Sequence, residues 1–194
     1  MRFKLVFIAW FTVALVAGAL GLPAGLHPPF PQVLLLTLTG LVVAAGMFVP
    51  PFRDWLLTLT WQSIVAIHLT RFVGGYFIYL CRHGELSCAW ALPAGIGDLV
   101  VAILALSLLL TRAANSRLWP LIVWNFIGLA DILAVVGRAA FIALQNPASM
   151  AALLRLPLSL LVTFLVPIII ASHLLVFARM RKGQRGDWPN PAMQ

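Results

Sequence analysis

Apolar residues run through most of this chain in long segments, which are separated by short clusters of Pro, Gly and charged residues. Several of these segments approach or exceed the roughly 20 residues that an α-helix needs to cross the hydrocarbon core of a bilayer. Six spans are predicted, at about 4–21, 33–49, 54–81, 95–111, 117–142 and 152–179. The pattern therefore predicts an all-α, polytopic membrane bundle of six transmembrane helices.

The composition agrees with this class. Of the 194 residues, 62% are hydrophobic and 9% are charged, against about 25% charged in an average soluble domain. The segments between the predicted spans are too short to hold a soluble domain. We therefore expect residues 1–180 to form a single transmembrane domain and 181–194 to form a short basic cytoplasmic tail. The lipid bilayer is the first expected partner.

The basic residues predict an orientation. The chain has 13 Lys and Arg against 5 Asp and Glu, but most of them lie between spans or in the tail, which is typical of membrane orientation and makes nucleic acid an unexpected partner. With the N-terminus inside, the inner side carries nine of them: Arg2, Lys4, Arg53, Arg112, Arg117, Arg179, Arg181, Lys182 and Arg185. The outer side carries only Arg82 and Arg155. This bias predicts a multi-pass protein of a bacterial-type inner membrane with both termini cytoplasmic.

The first apolar segment also resembles a signal peptide. It has a basic start, an apolar centre and small residues near its end, which are the usual parts of such a leader. Because the chain begins at Met1, we expect this segment to be retained as the first span.

Several polar side chains lie well inside the predicted spans: His68, Arg71, Asp98, Asn125, Asp131, Arg138 and His173. A charge near the centre of a bilayer costs several kcal/mol, so such groups should face the bundle interior and pair with one another. We expect Arg71 to contact Asp98, Asp131 or both, with His68 and Asn125 hydrogen-bonded nearby. Arg138 follows Asp131 by seven residues, too far along the axis for direct pairing but well placed to share a third partner. Two acids and two arginines are thus expected to form a charge-neutral set.

Helical geometry gives each of these groups an expected depth. At about 1.5 Å of rise per residue, His68 is predicted at the midplane and Arg71 in the outer half. Asp98 is predicted one turn into its span, just after a turn formed by L-P-A-G-I-G, and His173 in the inner half. Gly75 follows His68 by seven residues and is expected to share its face and leave room there. The site is thus predicted to open toward the outer face.

Three functional classes are compatible with these residues. In the first, which we favour, His68, Arg71, Asp98, Asn125 and Asp131 bind or relay a proton or a small solute, as in transporters. In the second, the protein is a membrane metal or haem protein. In the third, it is an accessory subunit of a larger complex or a homo-oligomer, and the polar set only fixes helix packing. No residue receives a catalytic role, and whether the chain is an enzyme stays open.

The metal or haem alternative uses His68 and His173, with Asp131 as a further candidate ligand. Histidine and carboxylate side chains are common metal ligands. The expected difference in depth between the two histidines, about 8–10 Å, argues against both binding one haem iron. The identity of any cofactor stays open at this stage.

The loop C-R-H-G-E-L-S-C is predicted on the outer side. In an oxidising compartment, Cys81 and Cys88 could form a disulfide over the mouth of the site. The alternative is a metal site that adds His83 and Glu85 to the two cysteines, although this spacing matches no recognised zinc motif.

Overall fold

The computed structural model describes residues 2–111 and 118–183, which form an all-helical bundle. The described residues contain eight α-helices, which we number along the chain: α1 (Arg2–Ala19), α2 (Phe30–Phe48), α3 (Pro50–Thr58), α4 (Trp61–Ala66), α5 (Gly74–Arg82), α6 (Cys88–Leu110), α7 (Leu118–Gln145) and α8 (Val166–Gly183). Three 3-10 segments, Pro23–Gly25, Ile67–Val73 and Pro147–Leu154, and the π-helical segment Leu161–Leu165 complete them. The predicted tail beyond 183 lies outside the described residues.

Six helical units within the described ranges are long and apolar enough to span a membrane: Arg2–Ala19, Phe30–Phe48, Trp61–Arg82, Cys88–Leu110, Trp119–Gln145 and Leu161–Arg181. The predicted all-helical class and the number of long apolar helices are confirmed. Phe3 packs against Phe52, and Arg179 near the end of α8 donates to the backbone oxygen of Leu57. The start of α1, the short helix α3 and the end of α8 therefore lie at one end of the bundle, which we call the terminal end. The opposite end, with residues 81–88, is the disulfide end.

Three predicted span starts were wrong: the sixth span begins at Leu161, not at 152, and the corrections to the third and fourth spans move the polar site. The third span begins at Trp61, not at 54, because Pro50–Thr58 forms its own helix and Thr60 caps the next one by accepting a hydrogen bond from Ser63 N. The fourth begins at Cys88, because L-P-A-G-I-G is helical and Pro93 lies within α6. Asp98 is therefore ten residues into α6. It lies near the middle of its helix and not in its outer part.

The third long unit changes its helix type at the site. It runs from α4 through the 3-10 segment Ile67–Val73 into α5. A 3-10 helix has about 3.0 residues per turn, so side chains three apart lie in one line. His68, Arg71 and Gly74 form such a line, and all three are buried. Gly75, which an α-helical count placed beside His68, is turned away from it, and a Cβ added there would contact nothing within 4 Å.

Helices α5 and α6 touch through two glycines. A Cβ added to Gly95 would lie 2.5 Å from the backbone oxygen of Gly74. A Cβ added to Gly74 would meet Gly95 O and lie 2.9 Å from Asp98 Cβ. Small residues permit this close approach of helices. The contact brings the residues that follow Gly95 in α6 against the line that carries Arg71.

The apolar core lies on both sides of the polar residues along the bundle. Toward the disulfide end, Phe77, Trp90 and Met150 belong to one buried cluster. Toward the terminal end, Val101 and Leu121 belong to another. The polar site is therefore a layer near mid-length, enclosed by apolar packing at either end.

Cys81 and Cys88 form a disulfide between the end of α5 and the start of α6. His83 Nδ1 lies 2.9 Å from the backbone oxygen of Tyr79. With both sulfurs bonded to each other, the alternative metal site of this loop lacks its thiolate ligands in this structure.

We predict that Gly95→Ala lowers the free energy of unfolding by about 1–3 kcal/mol, the usual cost of forcing extra atoms into a packed contact. Chemical denaturation of the protein in detergent micelles measures this change. Gly75→Ala is the matched control and should leave the stability almost unchanged, because its added methyl group meets open space. Equal effects of the two substitutions would contradict the packing described here.

Candidate functional site

Arg71 is the centre of a buried ionic cluster. Its side chain is 1% exposed, and its Nε donates to Asp98 Oδ1 at 2.6 Å. Its Nη2 donates to Asp131, and its Nη1 donates to the backbone oxygen of Gly128 at 3.1 Å. Both expected contacts of Arg71 are thus present. One guanidinium joins three of the long helices.

A glycine makes the space for the second acid. The carboxylate of Asp131 occupies the position that a Cβ of Gly97 would take. Asp98 is 5% exposed at its side chain, and Asp131 is 21% exposed. The cluster is therefore buried, with Asp131 at its more open edge.

The expectation that the cluster is charge-neutral was wrong. Arg138 is exposed on α7, and in the described part of the chain it forms no ion pair. It follows Asp131 by seven residues, which separates the two by about 10 Å along the helix axis. One guanidinium thus faces two carboxylates. With both acids ionised, the cluster carries one unbalanced negative charge.

A second polar group lies beside this cluster, toward the terminal end. His68 and His173 are both fully buried, and their ring centroids are 4.4 Å apart. Trp124 meets the His68 ring edge to face at 4.7 Å. The predicted difference in depth between the histidines was wrong, because the third unit begins seven residues later than expected and His68 lies nearer the terminal end.

The hydrogen bonds of the two histidines leave one nitrogen free on each ring. Asn125 donates its amide to His173 O at 3.2 Å, so its Oδ1 is left to accept from His173 Nδ1 at 2.8 Å. Ser172 donates its hydroxyl to Ile169 O at 2.8 Å, so its oxygen accepts from His68 Nε2 at 3.0 Å. Among the described residues, His68 Nδ1 and His173 Nε2 have no hydrogen-bond partner. In neutral rings these two nitrogens carry the free lone pairs.

Gly128 separates the two polar groups. Its backbone oxygen accepts from Arg71, and a Cβ added to it would lie 2.5 Å from Cε1 of His173. Asn125, expected beside Arg71, belongs to the histidine pair instead. Ser172 had no place in the sequence-based site, although its position directly before His173 was a usable signal.

The expected metal ligands are not gathered into one set. Two histidines that share one haem iron lie on opposite sides of it, each nitrogen about 2 Å from the metal. Rings in direct contact do not fit that arrangement. Asp131 is engaged with Arg71, and no group of three or more His, Cys, Asp and Glu in the described ranges is placed to hold a metal ion.

Two cavities approach the polar layer from opposite ends of the bundle. The first, of about 600 Å³, lies between α2 and α7 at the disulfide end and is lined by Arg71 and Asp98 at its inner part. The second, of about 650 Å³, lies between α2, α3 and α8 toward the terminal end and is lined by Ser63 and Ser172. The ionic cluster thus borders one cavity, and the histidine pair reaches the other through Ser172.

We predict that Arg71→Ala lowers the free energy of unfolding by about 3–5 kcal/mol, because it leaves two carboxylates without their cation in a buried position. Arg71→Lys should recover only part of the loss, since a single ammonium cannot replace the three bonds of the guanidinium. Denaturant titration in micelles measures both variants. Arg138→Ala is the control, and a loss as large as that of Arg71→Ala would contradict the pairing described here.

Comparison with known proteins identifies a family but no activity. Residues 28–181 match the model of DUF8737, a domain of unknown function. This range contains both polar clusters and most of the residues that line the two cavities. No curated protein and no solved structure matches the chain. Since the match covers well over half of the sequence, the chain belongs to the DUF8737 family.

Proposed function

We propose that this chain is an integral membrane protein that binds and relays a proton at its buried ionic cluster, in a transport process linked to a small solute. The observation that carries the proposal is the sharing of Arg71 by two carboxylates, the buried Asp98 and the partly buried Asp131. One guanidinium balances one of them, and a single proton on the other would bring the cluster to zero charge. A buried site that reaches neutrality by taking up one proton suits proton exchange.

The histidine pair extends the polar layer toward the second cavity. Each ring donates its N–H in a hydrogen bond. Its other nitrogen keeps a lone pair that accepts no hydrogen bond from a described residue, and imidazole in this state can accept a proton. Ser172 connects His68 to the second cavity, while Asp98 borders the first. We propose that protons enter the layer from the first cavity and leave through the second, or move in the reverse direction.

The bias of basic residues along the sequence supports a proposal for the orientation. We propose a bacterial-type inner membrane with both termini on the cytoplasmic side. The first cavity would then open toward the outer side, and the second would lie on the cytoplasmic side.

Proton flux into proteoliposomes tests the role of the acids. We expect Asp98→Asn and Asp131→Asn to abolish the uptake that a pH-sensitive dye records under an imposed potassium diffusion potential. Each substitution keeps the shape of the side chain and removes its titrating group. Asp54→Asn is the control, because Asp54 has a 70% exposed side chain outside the site. Flux unchanged in both site variants, with the proteins folded, would contradict the proposal.

The same measurement tests the histidine pair. We expect His68→Ala and His173→Ala to slow the flux. His83→Ala is the control and should leave the flux unchanged, because His83 lies at the disulfide end outside the cluster. Absorption spectroscopy and metal analysis of the purified proteins provide a second readout. A Soret band, or stoichiometric metal that disappears in His68→Ala, would contradict the proton role and favour ligation of a metal or haem.

A further inference from the structure

The first cavity has the size and walls of a site for an amphipathic small molecule. Its volume of about 600 Å³ lies within the range of about 300–1,000 Å³ that is typical of small-molecule sites. Its walls are formed by α2, α7, the 3-10 segment Pro147–Leu154 and the start of α8, and they are almost entirely apolar. An occupant must therefore have an apolar body.

Small side chains on α7 create much of this space. Ala139, Ala140 and Ala143 line the cavity between Ile132 and the end of the helix. Larger residues at these positions would bring α7 closer to α2 or fill the space between them. The cavity is thus a property of the sequence of α7 and not only of the helix arrangement.

The polar groups at the inner part of the cavity determine the sign of charge that it accepts. Arg71 and Asp98 both reach the lining. Arg71 already donates to two carboxylates and a backbone oxygen, so an anion would compete with partners that are in place. With both acids ionised, the cluster still carries an excess negative charge, which a cation would neutralise. Gln32 adds an acceptor to the lining, because its Oε1 is buried and has no hydrogen-bond partner in the described part of the chain.

The charged and titratable groups elsewhere in the lining are His27 and Arg155. Both are exposed and lie in the loops at the disulfide end. They are therefore at the mouth of the cavity, in contact with solvent that screens them, whereas Asp98 is buried at its inner part.

We infer that the first cavity binds a lipophilic monocation, of the organic amine or onium class, with its apolar body against α7 and its positive group beside Asp98. This inference rests on the proposed function, because the cation and the proton neutralise the same excess charge. The two would then exclude each other from the site. Binding of the cation releases the proton, which gives the exchange that links proton movement to solute movement.

Equilibrium dialysis of the purified full chain in detergent tests the sign of charge. The probes are tetraphenylphosphonium and tetraphenylborate, which have nearly the same size and shape and opposite charges. We expect tetraphenylphosphonium to bind at one site per chain in excess of empty micelles, and tetraphenylborate to show no such saturable site. Equal saturable binding of the two ions, or none of the cation, would overturn the inference.

Two pairs of variants locate the site. Ala140→Phe should fill the cavity and lower the affinity for tetraphenylphosphonium at least about tenfold, whereas Ala134→Phe, at an exposed position of the same helix that does not line the cavity, should retain it. Asp98→Asn should also weaken binding at least about tenfold, as expected for loss of a buried charged contact. Asp54→Asn is its control. Unaltered binding by Ala140→Phe would overturn the assignment to this cavity, even if the Asp98 variant fails to fold.

Proton release on binding separates this inference from the proposed function. We expect about one proton per bound tetraphenylphosphonium, recorded by a pH indicator in weakly buffered solution. Saturable binding without proton release would overturn the exchange. Absence of binding, with proton flux in vesicles still dependent on Asp98 and Asp131, would overturn the inference and leave the proposed function standing.

Discussion

The structure depends on one buried cation, the guanidinium of Arg71, which pairs with two acids. Arg71 can hold Asp98 and Asp131 together because its guanidinium is planar, stays charged and presents donors in several directions at once. Each acid lies on a different helix, so the pairing determines how α6 and α7 are placed around the third unit. The close contact of Gly74 with Gly95 and the space at Gly97 both serve this arrangement. Removal of water from such a group is costly, and apolar clusters lie on both sides of it along the bundle.

The excess of acid over base distinguishes this cluster from a simple structural ion pair. A neutral cluster would need a second cation, and Arg138, about 10 Å from Asp131 along the same helix, does not supply it. The fold leaves Arg138 exposed and keeps the cluster one positive charge short. The neighbouring histidines carry two further unpaired nitrogens. The polar layer thus combines two acids around one guanidinium with two ring nitrogens that have no protein partner among the described residues.

Much of the fold and the partners of Arg71 could be predicted from the sequence, because long apolar segments and the high cost of burying charge leave few alternatives. The depths of the polar side chains along the bundle could not be predicted, since they depend on where the helices begin. The last residues of Pro50–Thr58, from 54 onward, run on into the next apolar segment, and L-P-A-G-I-G looks like a turn although it is helical. The 3-10 segment was also missed, because seven residues of altered helical pitch leave no clear pattern in an apolar sequence. As a result the contact between the two histidines came only from the structure.

The 3-10 segment has a consequence for the surface of its helix. Three residues per turn divide Ile67–Val73 and the following Gly74 into three straight edges. One edge holds His68, Arg71 and Gly74, and the other two hold aliphatic and aromatic side chains with Thr70, whose hydroxyl is bound to Ile67 O at 2.6 Å. All ionisable groups of the segment are therefore confined to a strip one side chain wide. A helix built in this way can carry charge through an apolar layer while its other two edges present only apolar or hydrogen-bonded side chains.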